Sequence, residues 1–186
     1  MPMYAPKTVL LLLLLCLSVP LQAQKFGFID GNFILNKMPS FSKAKKDLDA
    51  FAQKSQKEVE EKFSLVKDLR MKYQAEEILL TPEMRRERLQ EIEKKENEAK
   101  DFQQKVFGYE GLLYLKEKEL RGPVLEELNK AVEKVARKNG LQVIYDKSSD
   151  FVIVYLDPRH DYTDYVLEEL KLGDPEDNPK QNANKP

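Results

Sequence analysis

The sequence predicts a mainly α-helical protein with a small β body, in which a long antiparallel helical hairpin projects as a coiled-coil arm from a small oligomeric β-sheet or barrel core. Three observations carry this. Residues 41–139 are charge-rich, almost free of glycine, and bear an apolar stripe at helical spacing. Thr81-Pro82 divides that run in two. Short apolar segments of strand character lie only near the chain's two ends, outside the run.

Residues 1–23 read as a signal peptide. Lys7 supplies the positive start, residues 9–19 the apolar centre, and Leu21-Gln22-Ala23 a cleavage site. An apolar run of about a dozen residues falls short of the ~20 that span a bilayer, so a membrane anchor is the weaker alternative. The sole cysteine, Cys16, lies in this segment, and the bulky Leu15 before it argues against a lipidation signal. The expected mature chain is exported, soluble and free of cysteine, with neither disulfides nor thiol chemistry.

Residues 24–40 form the first part of the body. Lys25-Phe26-Gly27-Phe28-Ile29-Asp30 reads as a strand, with Phe26 and Phe28 on one face and Ile29 on the other. Gly31-Asn32 turns the chain into a short helix over 33–38, stopped by Pro39, and Ser40 or Ser42 can cap the helix that follows.

The arm occupies 41–121. Its outgoing seam reads Phe41, Ala44, Leu48, Phe51, Val59, Phe63, Val66, Leu69 and Tyr73, with a polar gap over 53–58. The returning seam reads Leu89, Ile92, Ala99, Phe102, Val106, Tyr109, Leu113 and Leu120, then Val124, Leu128 and Val135 in the body. These steps average near 3.5 residues, the period of a coiled coil. At the tip, about 78–84, Thr81 can cap, Pro82 suits the first helical position and Glu83 suits the positive end of the dipole. Two long helices joined so tightly must run antiparallel to bury their stripes, in an arm of roughly 60 Å.

The body resumes over 122–172. Gly122-Pro123 predicts a kink or break where arm meets body, and Asn139-Gly140 a helix stop. Strands are expected over 141–145 and 151–156, the second apolar on both faces and ended by Asp157-Pro158. A last helix over 162–172 has Asp161 or Thr163 as its cap and Gly173 as its stop. Residues 173–186 are polar and expected to be disordered. Three short strands make a small core with open edges, most easily stabilised by sharing the sheet between copies. Phe26, Phe28, Val143, Ile144, Val152 and Val154 are the candidate residues of that shared core.

Of the 186 residues, 34% are charged, yet the net charge is -1. With a pI near 6.0, no basic field points to nucleic acid. Catalysis is not expected. The single histidine, His160, sits in the turn Asp157-Pro158-Arg159-His160-Asp161, whose acidic residues could be imagined as metal ligands but fit a helix-capping loop better. There is no Gly-x-Ser-x-Gly elbow and no phosphate-binding loop, so no catalytic, cofactor or metal residue is assigned.

The order of parts resembles the Skp/OmpH family. A signal peptide, Phe-Gly-Phe-Ile-Asp, a charged helical hairpin, Val-Ile-Tyr-Asp, an apolar strand and Asp-Tyr-Thr-Asp-Tyr-Val-Leu-Glu-Glu-Leu follow one another over about residues 25–172. The resemblance implies a periplasmic homotrimer whose three arms enclose a cavity and hold unfolded outer-membrane proteins without ATP. The best-known members are strongly basic, so a role that leans on a global positive field is not carried over to this near-neutral chain.

Client contact is expected along the arm at Phe51, Val59, Phe63 and Met71, and at the tip at Ile78, Leu79, Leu80 and Met84 with Arg85 and Arg86. The tip residues could equally staple the turn together, or touch a membrane surface. Many shallow contacts of ~1 kcal/mol, made intramolecular by tethering, would hold a client firmly while each exchanges quickly. Gly108, Gly111 and the gap over 53–58 are candidate soft points of the arm. The rival readings are a coiled-coil spacer or tether of the cell envelope without client binding, and a small enzyme or metal protein centred on His160.

Overall fold

The computed structural model describes residues 25–149 and 153–173. Residues 1–24, where a signal peptide is expected, residues 150–152, Val152 among them, and residues 174–186 lie outside the described residues. The elements are β1 (Phe26–Ile29), α1 (Gly31–Lys37), α2 (Pro39–Glu76), a 3-10 turn (Glu77–Leu79), α3 (Pro82–Phe107), α4 (Leu112–Asn139), β2 (Val143–Asp146), a second 3-10 turn (Pro158–His160) and α5 (Thr163–Glu169).

The hairpin forms as the apolar stripe requires. Helix α2 has 38 residues, roughly 57 Å at 1.5 Å per residue, and α3 and α4 return along it one after the other. From tip to base, Arg70 pairs with Glu96, Lys62 lies 5.1 Å from the Phe102 ring centroid, and the Ser40 hydroxyl donates to Glu127 at 3.0 Å. Numbers fall on one side as they rise on the other, so the pair is antiparallel. Val59 and Val66 of α2 are buried in the arm, as are Ile92, Ala99 and Val106 of α3. The gap over 53–58 does not interrupt the seam, because Ser55 is buried at 7% exposure. A side chain that small fits where a larger apolar one is missing.

Two expectations about the returning helix are corrected. Pro123 does not break it: α4 runs through that position. Gly122 lacks the Cβ that a following proline normally crowds. Arg121, Gly122 and Pro123 are all exposed, so water can satisfy the carbonyl that loses its partner, while Val124 and Leu128 remain anchored in the core. The break falls instead at residues 108–111, between α3 and α4, with Glu110 at φ 50. Tyr109, expected in the seam, is expelled there to 96% exposure.

Among the described residues the sheet has two strands, paired in parallel with Phe26 opposite Val143 and Ile29 opposite Asp146. Parallel strands need a long crossover, and here the whole arm is that crossover. The far edge of β1 makes a single bridge, Phe28 to Asp161. The strand expected over 151–156 is not seen at its described residues 153–156. Ile153, Val154 and Tyr155 are exposed, as expected of an apolar segment that finds no strand beside it within one chain.

Beneath the sheet lies one core. Ile29 of β1 packs with Ile34, Leu35 and Met38 of the α1 region, Ala44 of α2, Val124, Leu128, Ala131 and Val135 of α4, and Val166 and Leu167 of α5. The remaining differences are local. Helix α1 starts at Gly31, two residues early, because the Asp30 carboxylate accepts from the Phe33 N–H at 2.9 Å. Met38 in extended conformation, not Ser40 or Ser42, precedes α2, with Pro39 as its first residue. Gly140 ends α4 at φ 66, as expected. Helix α5 closes at Leu170, three residues before Gly173.

Asp146 ties the arm's two ends together. Its carboxylate oxygen accepts from the Gly31 N–H at 2.9 Å, the Ser148 N–H at 2.9 Å and the Ser148 hydroxyl at 2.7 Å. Partial burial works to raise its pKa, but the bonds from Ser148 and Gly31 outweigh it and hold the carboxyl below the ordinary 3.8. A depressed carboxylate stabilises the fold above its unfolded-state value. That contribution should fade as pH falls below 3.8 through the folded-state value. Asp146→Ala strands the Gly31 donor and is expected to cost about 1–3 kcal/mol at neutral pH. Urea melts at pH 7 and pH 3 check this, since the difference between wild type and variant should shrink at the lower pH.

Candidate functional site

Exposed apolar side chains are the feature of this molecule that needs explaining. Most of the arm's surface is charge set at helical spacing. Lys95 pairs with Glu98, Lys116 with Glu119 and Arg121 with Glu117, each on neighbouring turns. Glu96 bridges two partners, and the bonds from Lys100 and then Arg70 hold its carboxyl below the ordinary value. Such pairs are weak and wet, so they keep the arm soluble without making it sticky.

The tip is ordered yet apolar. The Thr81 hydroxyl accepts from the Met84 N–H at 3.3 Å, and the Arg85 side chain donates to the Leu80 carbonyl at 3.2 Å. Tyr73 donates to Glu77 at 3.2 Å, and desolvation followed by the Glu77 carboxylate raises the phenol's pKa. These bonds leave Ile78 at 91% and Leu79 at 83% exposure, with Met84 half exposed beside them. Arg86 is exposed and Arg85 half-buried. A turn stapled by its own apolar residues would have buried Ile78 and Leu79; here Leu80 alone of the three is half-buried.

Along the arm the expected contact residues separate. Phe51 is half-buried. Phe63 is half-buried and lines a shallow groove of about 400 Å³ with Val66, Arg70 and the exposed Met71. Val59 is a correction: at 3% exposure it belongs to the seam and is out of reach while the helices stay paired. In the body, Phe28 is buried, Ile144 half-buried, and Phe26, Val143 and Val154 exposed. Val152 is not among the described residues.

One exposed group was not anticipated. Phe107, Tyr109, Leu112, Tyr114 and Leu115 are all exposed around the helix break. The signal for it was present in Gly108 and Gly111, which flank Tyr109 closely enough to shift the phase of the stripe.

The loop around His160 has its polar groups engaged. The His160 ring lies 4.9 Å from that of Phe26. Asp157 is lowered to about 2, chiefly by its bonds from the Arg159 side chain and N–H. Asp161 accepts from Lys147 at 3.0 Å and from the Thr163 N–H at 2.9 Å. Among the described residues no three His, Cys, Asp or Glu side chains gather as a metal site would need, and no helix is long and apolar enough to cross a membrane.

The model of one protein family, outer membrane protein (OmpH-like), matches residues 25–170. The fold is similar to the crystal structure of a provisionally assigned outer membrane chaperone (OmpH-like) from Caulobacter crescentus CB15. The TM-score is 0.66 at 14% sequence identity, over 80% of this chain and 83% of that one. No curated protein matches the chain.

Proposed function

We propose, from the premise that this chain belongs to the OmpH-like outer membrane protein family, that it is a nucleotide-independent holdase for unfolded outer-membrane proteins in the periplasm. One observation carries the reading. The tip is fixed by a cap and side-chain bonds, yet presents Ile78 and Leu79 almost wholly to solvent. Apolar surface kept out of a core is costly in water unless something covers it, and an unfolded envelope protein is rich in matching surface.

In this reading the chain divides into a signal peptide (1–23), a body (24–40 and 122–172), an arm (41–121) and a tail (173–186). The body assembles as a homotrimer through Phe26, Phe28, Val143, Ile144, Val152 and Val154, and three arms enclose a client between them. Phe51, Phe63, Met71, Ile78, Leu79, Leu80, Met84, Arg85 and Arg86 supply shallow contacts whose tethering gives strength with fast exchange. The charged remainder of the arm keeps the client wet. No step of this mechanism calls on a cofactor or a catalytic group.

The test is light scattering. A urea-denatured outer-membrane β-barrel protein, diluted into buffer without nucleotide, should stay clear in the presence of about one trimer of this protein per client. The rival is a structural spacer, and the burial of Ser55, which carries the seam through its polar gap, speaks for it. Unchanged scattering would overturn the holdase reading in favour of the spacer.

A further inference from the structure

We infer that the helix break at residues 108–111 is a second, mid-arm contact for unfolded polypeptide, with Tyr109 as its aromatic knob. The inference rests on the holdase reading and adds to it a site away from the tip.

A break in the middle of a long helix gives up backbone bonds and packing, so it calls for a reason. The residue the break displaces, Tyr109, takes no place in the arm's own core, being 96% exposed. The break is nevertheless tightly built. The Gly108 N–H donates to the Gln104 carbonyl at 2.8 Å and the Gly111 N–H to the Gly108 carbonyl at 3.0 Å. A Cβ on Gly108 would collide with the Gln104 carbonyl oxygen, and one on Gly111 would stand 2.6 Å from that of Val106. Only glycine suits both positions. The loop backbone is therefore closely determined, and Tyr109 projects from it into solvent.

Its surroundings suit an apolar ligand. Tyr114 and Leu115 are half exposed on the following turn. Phe107 lines a groove of about 630 Å³ with Ala52, Gln53, Gln56, Lys57 and Glu60 of α2, whose two charges are of opposite sign. Nearby charges have both signs, Lys105 and Lys116 against Glu110 and Glu117, so no ionic partner is selected. The occupant follows from shape and size. A convex knob, with a groove lined by Phe107 two residues earlier in the chain, offers on the order of a few hundred Å², well short of the ~1,000 Å² expected of a stable contact between folded surfaces. An extended chain that also touches the arm elsewhere needs no more than that from any one site, and its aromatic and aliphatic side chains match the knob.

The experiment places a benzophenone amino acid at position 109 of the mature chain, and in a second sample at the exposed Lys118. Each is irradiated with a urea-denatured outer-membrane barrel protein freshly diluted into buffer. Position 109 should give at least fivefold more adduct with the barrel protein than position 118. Equal yields, or adducts only between two copies of this chain, would overturn the inference. In parallel, Tyr109→Ser should raise the concentration needed for half-suppression of scattering about threefold with an unchanged thermal melt, and Tyr109→Phe should restore it. A Tyr109→Ser protein indistinguishable from wild type also overturns the inference. Failure of the wild type itself to suppress scattering overturns the holdase reading, whereas the adduct yields still decide this site.

Discussion

Ile34→Ala is expected to lower the stability of the body by about 2–5 kcal/mol, the range for removing a large aliphatic side chain from a packed core. Ile34 is completely buried where α1, α2, α4 and α5 meet. The core is small, and marginal domains hold only about 5–15 kcal/mol in all, so the loss should remove a large share of the total. Ile34→Val, which deletes one methylene, should cost only about 0.5–1.5 kcal/mol. Urea melts followed by circular dichroism, with mass measurement of the native oligomer, provide the check. If the subunits associate through the body, the alanine variant should dissociate at concentrations where the valine variant stays assembled. Equal midpoints for the two variants would show that α1 does not anchor this core.

The second large effect concerns function without stability. The double variant Ile78→Ser, Leu79→Ser is expected to weaken client retention at least tenfold while leaving the melt unchanged. Both side chains are exposed in the free protein, so their loss removes almost nothing from the fold. If each contributes about 1 kcal/mol of contact in the complex, the pair amounts to about 2 kcal/mol, more than the 1.4 kcal/mol that makes a factor of ten. Release of a fluorescently labelled, denatured barrel protein, followed by competition, measures it. A variant that retains its client as wild type does would mean that the tip is not where clients are held. Arg86→Ser separates the apolar from the ionic contribution: if the apolar one dominates, as the exposure of Ile78 and Leu79 suggests, retention should change little and should depend little on salt in wild type and variant alike.

The arm was legible in the sequence because its determinants are local. Helical periodicity places neighbours three or four residues apart, and Thr81-Pro82-Glu83 needs only its own turn to cap α3. The exposure of Ile78 and Leu79 was not legible in the same way: the sequence left a turn stapled by these residues equally open, and the structure decided between the two. Among the contact residues, Phe63 and Val59 look alike in the stripe, and packing alone separated the half-buried one from the buried one.

By itself the sequence determined a helical hairpin, the position of its tip, and a body drawn from both ends of the chain. Only the tertiary structure decided that α4 passes unbroken through Pro123 while the chain breaks at Gly108 and Gly111, and that residues 153–156 stand outside the sheet. At Pro123 a helix penalty of about 3 kcal/mol yields to the burial of Val124 and Leu128, and residues 153–156 lack the partner strand that their own sequence cannot supply.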